Sequence, residues 1–273
     1  MVEKIFTIAP PILLSVLYGS IIIGLIMKNT VGKAIIVGAS SGIGREVARR
    51  LLADGWTLGL AARRTEQLQE LRQLAPHRVS ICKLDVNVSD AEKQLLQLIS
   101  DIGGMDLYFH ASGIGFQNSI LDSQLELDTI QTNAVGFCRM IGAAFRYFAK
   151  QGRGHIAAIT SIAGTRGLGV APAYSATKAL QNVYLESLVQ LAHMRALPIC
   201  ITDIRPGFVR TPLLGDDPHF PMLMTSQSVA RHIVRAVYAR RKVIVIDNRW
   251  RMLTFLWRLV PHWIWRRLSI GKL

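Results

Sequence analysis

Charge is scarce in this chain, at 18% of 273 residues against a hydrophobic share of 50%, and that balance excludes an intrinsically disordered protein. Cysteine is scarcer. Cys82, Cys138 and Cys200 are odd in number, lie in apolar runs and show neither a C-x-x-C pair nor Cys/His metal spacing. Disulfide scaffolds and zinc sites are thereby excluded, and the three read as small buried hydrophobes in a reducing compartment. Glycine (22) and proline (10) follow no period, so a collagen-like chain is excluded too. There is no internal repeat and no low-complexity linker, and the length suits one α/β domain with extra segments.

Acids are outnumbered, 18 against 32 Lys and Arg, for a formal net charge of +14. Such an excess points to an anionic partner. More than half of it lies from Arg240 onward, where Arg240, Arg241, Lys242, Arg249, Arg251, Arg258, Arg266, Arg267 and Lys272 face the single acid Asp247. Trp250, Trp257, Trp263 and Trp265 share this tail, which has the composition of helices lying in an anionic membrane interface. It is too apolar for a solvated nucleic-acid groove, so no nucleic-acid partner is expected. Arg251, Arg258, His262 and Arg266 fall near one helical face, Trp250, Leu253 and Trp257 lie away from it, and Pro261 suits a break before a second short helix.

At the other end, Ile5 to Met27 carries no charged side chain. As a helix it would reach roughly 35 Å, enough to cross a hydrocarbon core of about 30 Å. A start at Pro10 and Pro11 leaves only about 25 Å, which excludes a tilted, uninterrupted span. No cleavage pattern follows, and Lys28, Lys33 and Arg45 outnumber Lys4, which is expected to keep the following domain on the cytoplasmic side. A membrane segment is the favoured reading; the alternative is that Met27 is the native start.

Between these ends, short apolar runs alternate with longer amphipathic stretches. Ala34–Val37, Leu58–Ala61, Val79–Cys82, Leu107–Phe109, Ile156–Ile159, Ile199–Ile201 and Val243–Ile246 are seven strand candidates. Helices are expected near Ile43–Ala53, Glu66–Leu74, Ala91–Ile99, Leu125–Lys150, Tyr174–Ala196 and Val229–Arg240. Near-continuous apolar strands in β-α-β order predict a doubly wound, seven-stranded parallel sheet of the Rossmann type with helices on both faces. The expected division is residues 1–30 as a membrane-seeking segment, 31–247 as the Rossmann domain and 248–273 as a basic, aromatic interfacial tail.

Gly38-Ala39-Ser40-Ser41-Gly42-Ile43-Gly44 follows the first strand and opens a helix. The glycines allow a tight turn and close approach to a pyrophosphate, which the helix N-terminus stabilises. Where an NAD site would place an acid on the ribose, the second strand ends in Ala62-Arg63-Arg64. Arg63 or Arg64 would neutralise a 2′-phosphate, which favours NADP(H) over NAD(H). Asp85, followed by Val86, either accepts from the adenine amino group or caps its loop. Tyr174 and Lys178 stand four apart at the start of a helix, on one face. A close ammonium would stabilise the phenolate, lowering its pKa so that Tyr174 exchanges a proton with a substrate oxygen. Lys178 has N–H groups left for a nicotinamide ribose.

Glycine turn and Y-x-x-x-K pair, in this order and separation, resemble the short-chain dehydrogenase/reductase family over essentially all of Val31 to Asp247. The resemblance implies that Ser161 hydrogen-bonds the reacting carbonyl. It makes Tyr174 the general acid in reduction and Lys178 its electrostatic partner. Asn133 would kink its helix and hold a water linked to Lys178. Pro206, Gly207, Val209 and Thr211 would lie at the nicotinamide, with Thr211 near its carboxamide. Where the family has Asn-Asn-Ala-Gly, this chain reads His110-Ala111-Ser112-Gly113. Gly113 keeps the close approach to the cofactor, and His110 is expected to be a hydrogen-bonded strand-end residue.

The resemblance places the substrate lid at Leu213 to Thr225, rich in Pro, Met and Phe. An apolar lid suggests a hydrophobic carbonyl compound or alcohol. The activity expected is hydride transfer between NADP(H) and a secondary alcohol or ketone, in a membrane-associated homodimer or homotetramer; the alternative is a non-catalytic NADP(H)-binding sensor or scaffold.

Overall fold

A computed structural model describes residues 31–214 and 220–270. The apolar run Ile5–Met27 lies outside the described residues, as does Pro218 of the lid. Seven parallel strands form one sheet: β1 (Lys33–Val37), β2 (Thr57–Ala62), β3 (Val79–Lys83), β4 (Leu107–His110), β5 (Gly154–Ile159), β6 (Ile199–Pro206) and β9 (Val243–Ile246), in the order β3-β2-β1-β4-β5-β6-β9. Two further strands, β7 (Val209–Arg210) and β8 (Met224–Thr225), pair parallel with each other. The expected doubly wound α/β sheet is therefore present, and all seven strand candidates belong to it.

Alternation along each strand splits the core in two. Ala34 and Ile36 on β1 and Leu58 and Leu60 on β2 face α1 (Gly42–Ala53), α2 (Glu66–Leu74) and α7 (Ser226–Tyr238), where Val47, Leu51, Leu68, Val229 and Ile233 are buried. Ile35, Val37 and Ala61 face the opposite layer. That layer is built by α3 (Ala91–Asp101), α5 (Phe137–Gln151) and α6 (Pro172–Met194), with Leu95, Phe137, Phe148 and Leu185 inside. Both faces of the central strands are thus covered, which is why they read as uninterrupted apolar runs. Chain order reverses between β1 and β4, and that switch point opens a crevice at the strands' carboxyl ends.

Helix boundaries have local causes. Pro172 sits in the first turn of α6, where its missing N–H costs nothing. Gly152 ends α5 in the left-handed region at φ 80°. The helix expected over Leu125–Lys150 is instead α4 (Ser123–Ile130), a π-turn at Gln131–Gly136 and then α5. The π-turn lodges an extra residue in the helical ladder and carries Asn133 at the break.

Two helices, α8 (Asn248–Leu259) and α9 (His262–Trp265), follow β9 with Pro261 between them, as expected. Their tryptophans are placed differently. Trp250 is 1% exposed, packed edge-on to Phe208 at 5.5 Å, while Trp257 and Trp265 meet at 5.4 Å. Of the four, Trp263 alone is largely exposed. Arg166 donates to the carbonyls of Trp257, Arg258 and Val260 at 3.3, 3.1 and 2.6 Å, satisfying the end of α8. The tail helices are thereby fastened to the segment that follows β5.

Candidate active site

The glycine turn is shaped by contact with the chain after β4. Gly38 adopts φ 89°, and a methyl group there would lie 2.6 Å from the Ala111 carbonyl carbon. A methyl at Gly44 would collide with the Gly38 carbonyl oxygen. Only glycine fits both places. Ser40, Ser41, Gly42 and Ile43 are half-buried at the mouth of the turn.

Ser41 is the N-cap of α1 but makes no side-chain cap bond, and the first turn contains no acid. α4, α7 and α8 are capped by Asp122, Thr225 and Asp247, whereas α1, like α2, α3 and α6, has no side-chain cap bond. The donors opening α1 are left to an external acceptor, as a pyrophosphate requires. Arg63 and Arg64 are exposed at the end of β2 and hold no salt bridge among the described residues. Thr211 reaches the same turn, since a methyl on Gly42 would meet its Cγ2 at 3.0 Å. These groups fit a dinucleotide carrying an extra phosphate.

Two residues of the predicted cofactor set are engaged internally. Asp85 Oδ1 accepts the Asn87 N–H at 3.0 Å, the loop-capping alternative. Val86 is buried against Gly136, and its carbonyl accepts from Arg139 at 2.6 Å.

Ser161, Tyr174, Lys178, Asn133 and Gly113 come together at the carboxyl ends of β4 and β5. Ser161 caps the short turn Ile162–Gly164, its Oγ accepting the Ala163 N–H at 3.0 Å, which leaves its hydroxyl hydrogen for another acceptor. Lys178 Nζ lies 5.6 Å from the centre of the Tyr174 ring. The same ammonium donates to the Ile159 carbonyl at 3.4 Å and to Gln181 Oε1 at 3.0 Å. Asn133 is clamped on Ile114, donating to its carbonyl at 2.6 Å and accepting its N–H at 2.9 Å. A methyl on Gly113 would stand 3.3 Å from Asn133 Oδ1 and 3.7 Å from Lys178 Nζ.

Electrostatics depart from expectation. Burial pushes the Tyr174 phenol up from its ordinary value, with the Ser161 hydroxyl acting in the opposite direction. Burial also lowers Lys178 to about 8, against the pull of the Asp203 carboxylate. Loss of hydration thus moves the phenol in the direction opposite to the one expected from a nearby ammonium.

His110 is fully buried, its Nδ1 paired with the Tyr108 hydroxyl at 2.9 Å. Burial first, and the Lys178 ammonium second, lower it to about 3. It is a neutral strand-end histidine at working pH.

Sequence reasoning passed over Gly115 and Gln181. A methyl at Gly115 would lie 2.6 Å from the Tyr174 ring, so the phenol is seated directly on that backbone. The only available signal was its place two residues after Gly113.

Pro206 ends β6, Gly207 follows it and Val209 opens β7. Gly207 has no room for a side chain, since a methyl would collide with the Trp250 indole. Phe208 packs on Phe220 at 4.7 Å, and Val209 registers with Met224. The segment Pro206–Val209, Phe220 with Met224, and α8 thus share one packed unit. The three cysteines are free and half-buried.

Comparison with known proteins identifies the family. The family model for short chain dehydrogenase matches residues 32–220. An uncharacterized oxidoreductase from Myxococcus xanthus is 35% identical over 195 residues, covering 69% of this chain and 76% of that protein. Dehydrogenase/reductase SDR family member 7B from Xenopus tropicalis is 31% identical over 239 residues, covering 78% and 76%. The crystal structure of a point variant of the actinorhodin polyketide ketoreductase with NADPH is 25% identical and matches with a TM-score of 0.68, over 79% of this chain and 95% of that one. With its sheet order, glycine turn and Ser–Tyr–Lys grouping, the chain belongs to the short-chain dehydrogenase/reductase family of oxidoreductases.

Proposed function

We propose that the protein transfers hydride between NADP(H) and a secondary alcohol or ketone, with Tyr174 as proton donor and acceptor. The carrying observation is the convergence of Ser161, Tyr174 and Lys178 on one crevice, with the Lys178 ammonium 5.6 Å from the centre of the phenol ring. In reduction, the Ser161 hydroxyl orients the carbonyl oxygen and Tyr174 donates its proton to it. Lys178 offsets the charge left on the phenolate. Asn133, clamped on Ile114, keeps the π-turn against the loop carrying Gly113. When bound, NADPH supplies the hydride.

Arg63 and Arg64 support the choice of NADP(H), as does the NADPH bound to the ketoreductase neighbour. With both changed to alanine, the preference for NADPH over NADH, read as a ratio of kcat/KM, should fall by about 10- to 100-fold. Oxidation of NADPH across a panel of short polar and long-chain ketones tests the whole reading. Faster turnover of apolar members is expected. Binding of NADPH without turnover of any member would favour a sensor or scaffold.

A lipophilic substrate is supported by the apolar character of the expected lid, where Phe220 packs on Phe208 and Met224 is buried. Membrane association is supported by a second apolar row on α8, where Met252, Phe255, Leu256 and Leu259 are 65, 62, 49 and 64% exposed, with Arg251 and Arg258 exposed beside it. Among the described residues no helix is long and apolar enough to cross a membrane. On this reading the catalytic domain faces the cytoplasm, supported by the excess of Lys28, Lys33 and Arg45 over Lys4. Changing the four residues to serine should reduce flotation with phosphatidylserine vesicles at least severalfold. Undiminished flotation of that variant, also lacking residues 1–27, would refute the surface. Assembly as a homodimer or homotetramer through the helices bearing Asn133 and Tyr174 is supported by exposed Leu127, Val135 and Val183.

A further inference from the structure

Gln181 lies three residues after Lys178 on α6, on the same helical face, and is fully buried. Its two carboxamide ends have different partners. Oε1 accepts from the Lys178 ammonium at 3.0 Å, and Nε2 donates to the main-chain carbonyl of Asn133 at 2.8 Å. That carbonyl lies within the π-turn, where the regular helical ladder is interrupted. The Asn133 side chain is engaged elsewhere, its Nδ2 donating to the Ile114 carbonyl and the Thr177 hydroxyl and its Oδ1 accepting the Ile114 N–H. One amide thus closes the gap between the cation and the helix break, where the family resemblance calls for a water.

We propose that Gln181 is a positioning residue, holding the Lys178 ammonium beside Tyr174 and sealing the Asn133 carbonyl from the proton path. A carboxamide donates and accepts hydrogen bonds but does not ionise in the working range. It therefore fixes the cation in place without passing protons onward, and a water in its position would do both.

The groups around Lys178 sharpen the test. The Asp203 carboxylate approaches from β6, already bound by the Thr160 hydroxyl at 2.5 Å and by the Arg205 guanidinium. The His110 imidazole faces it from β4, and the Tyr174 phenol shares its own helix. Among the described residues Asp203 is the only acid acting on it, and Lys178 sits at about 8. An added carboxylate at position 181 should hold its proton more tightly, and an apolar side chain there should loosen it.

The proposal rests on the reading of Lys178 as part of the catalytic group, but its test does not require turnover. Protein carrying ¹³C-ε-lysine is titrated by NMR, with Lys178→Arg identifying the resonance. In Gln181→Glu the ammonium's proton affinity should rise about tenfold or more, and in Gln181→Met, which keeps side-chain volume, it should fall about threefold or more. Gln181→Leu replaces the Met variant should that one not fold. Titration unchanged in both, or displaced the same way in both, would overturn the proposal, since loosened packing has no reason to act with opposite signs. Opposite displacements alongside full turnover by Tyr174→Phe would uphold the role of Gln181 and sink the catalytic reading instead.

Discussion

Tyr174→Phe should lower kcat by about 10²- to 10⁴-fold while leaving the Kd for NADPH within about twofold. The ring is seated on Gly115 and flanked by the Lys178 ammonium, and phenylalanine preserves both contacts. Only the hydroxyl is lost. Ser161 cannot replace it as a proton source, because an unactivated serine hydroxyl is a far weaker acid than a phenol. Single-turnover oxidation of NADPH with a ketone that the wild type reduces separates the chemical step from binding. A variant retaining more than about a tenth of wild-type rate would remove Tyr174 from the acid–base role.

The second large effect is on stability and comes from outside the predicted domain. Trp250→Ala should destabilise the fold by about 3 kcal/mol, at the low end of the range for buried tryptophan. The full range is not expected, because the indole N–H is buried without a hydrogen-bond partner, and removing it relieves part of the cost. For a domain of this size the midpoint of thermal unfolding should fall by on the order of 10 °C. The indole fills the space above Gly207 and against Phe208, so the same change should loosen the segment leading to Val209 and Thr211. Weakened NADPH affinity alongside the lowered Tm is expected. An unchanged Tm would mean that α8 is not seated on the domain.

Much of this architecture could be read from residue order. The seven strands were visible because burial on both faces demands continuous apolar runs, and Ala34–Val37 and Val243–Ile246 admit little else. The helix expected from Tyr174 begins two residues earlier at Pro172, and Glu66–Leu74 matched α2 residue for residue. Tyr174 and Lys178 were legible because helical period alone puts them side by side. The break at Gln131–Gly136 was not, since a π-turn has no propensity signature and depends on what its extra residue can bind.

Composition did not show which side of α8 is buried, nor spacing how deep Tyr174 lies. Mixed Arg and Trp suggested that the tail's tryptophans face a membrane, yet α8 carries apolar residues on both sides. The row of Trp250, Leu253 and Trp257 is the one that meets the core. For Tyr174, the nearby cation was legible and the depth of its surroundings was not.

Local chemistry, then, settled the order of strands and helices, the glycine turn, the arginine pair after β2 and the spacing of the phenol and amine, because each depends on residues adjacent along the chain. Tertiary packing decided which face of α8 is buried, that Gln181 reaches both Lys178 and Asn133, and that the Tyr174 phenol is desolvated. Those outcomes depend on distance between segments far apart in sequence and on how much water the fold expels, and neither quantity is written in any local pattern.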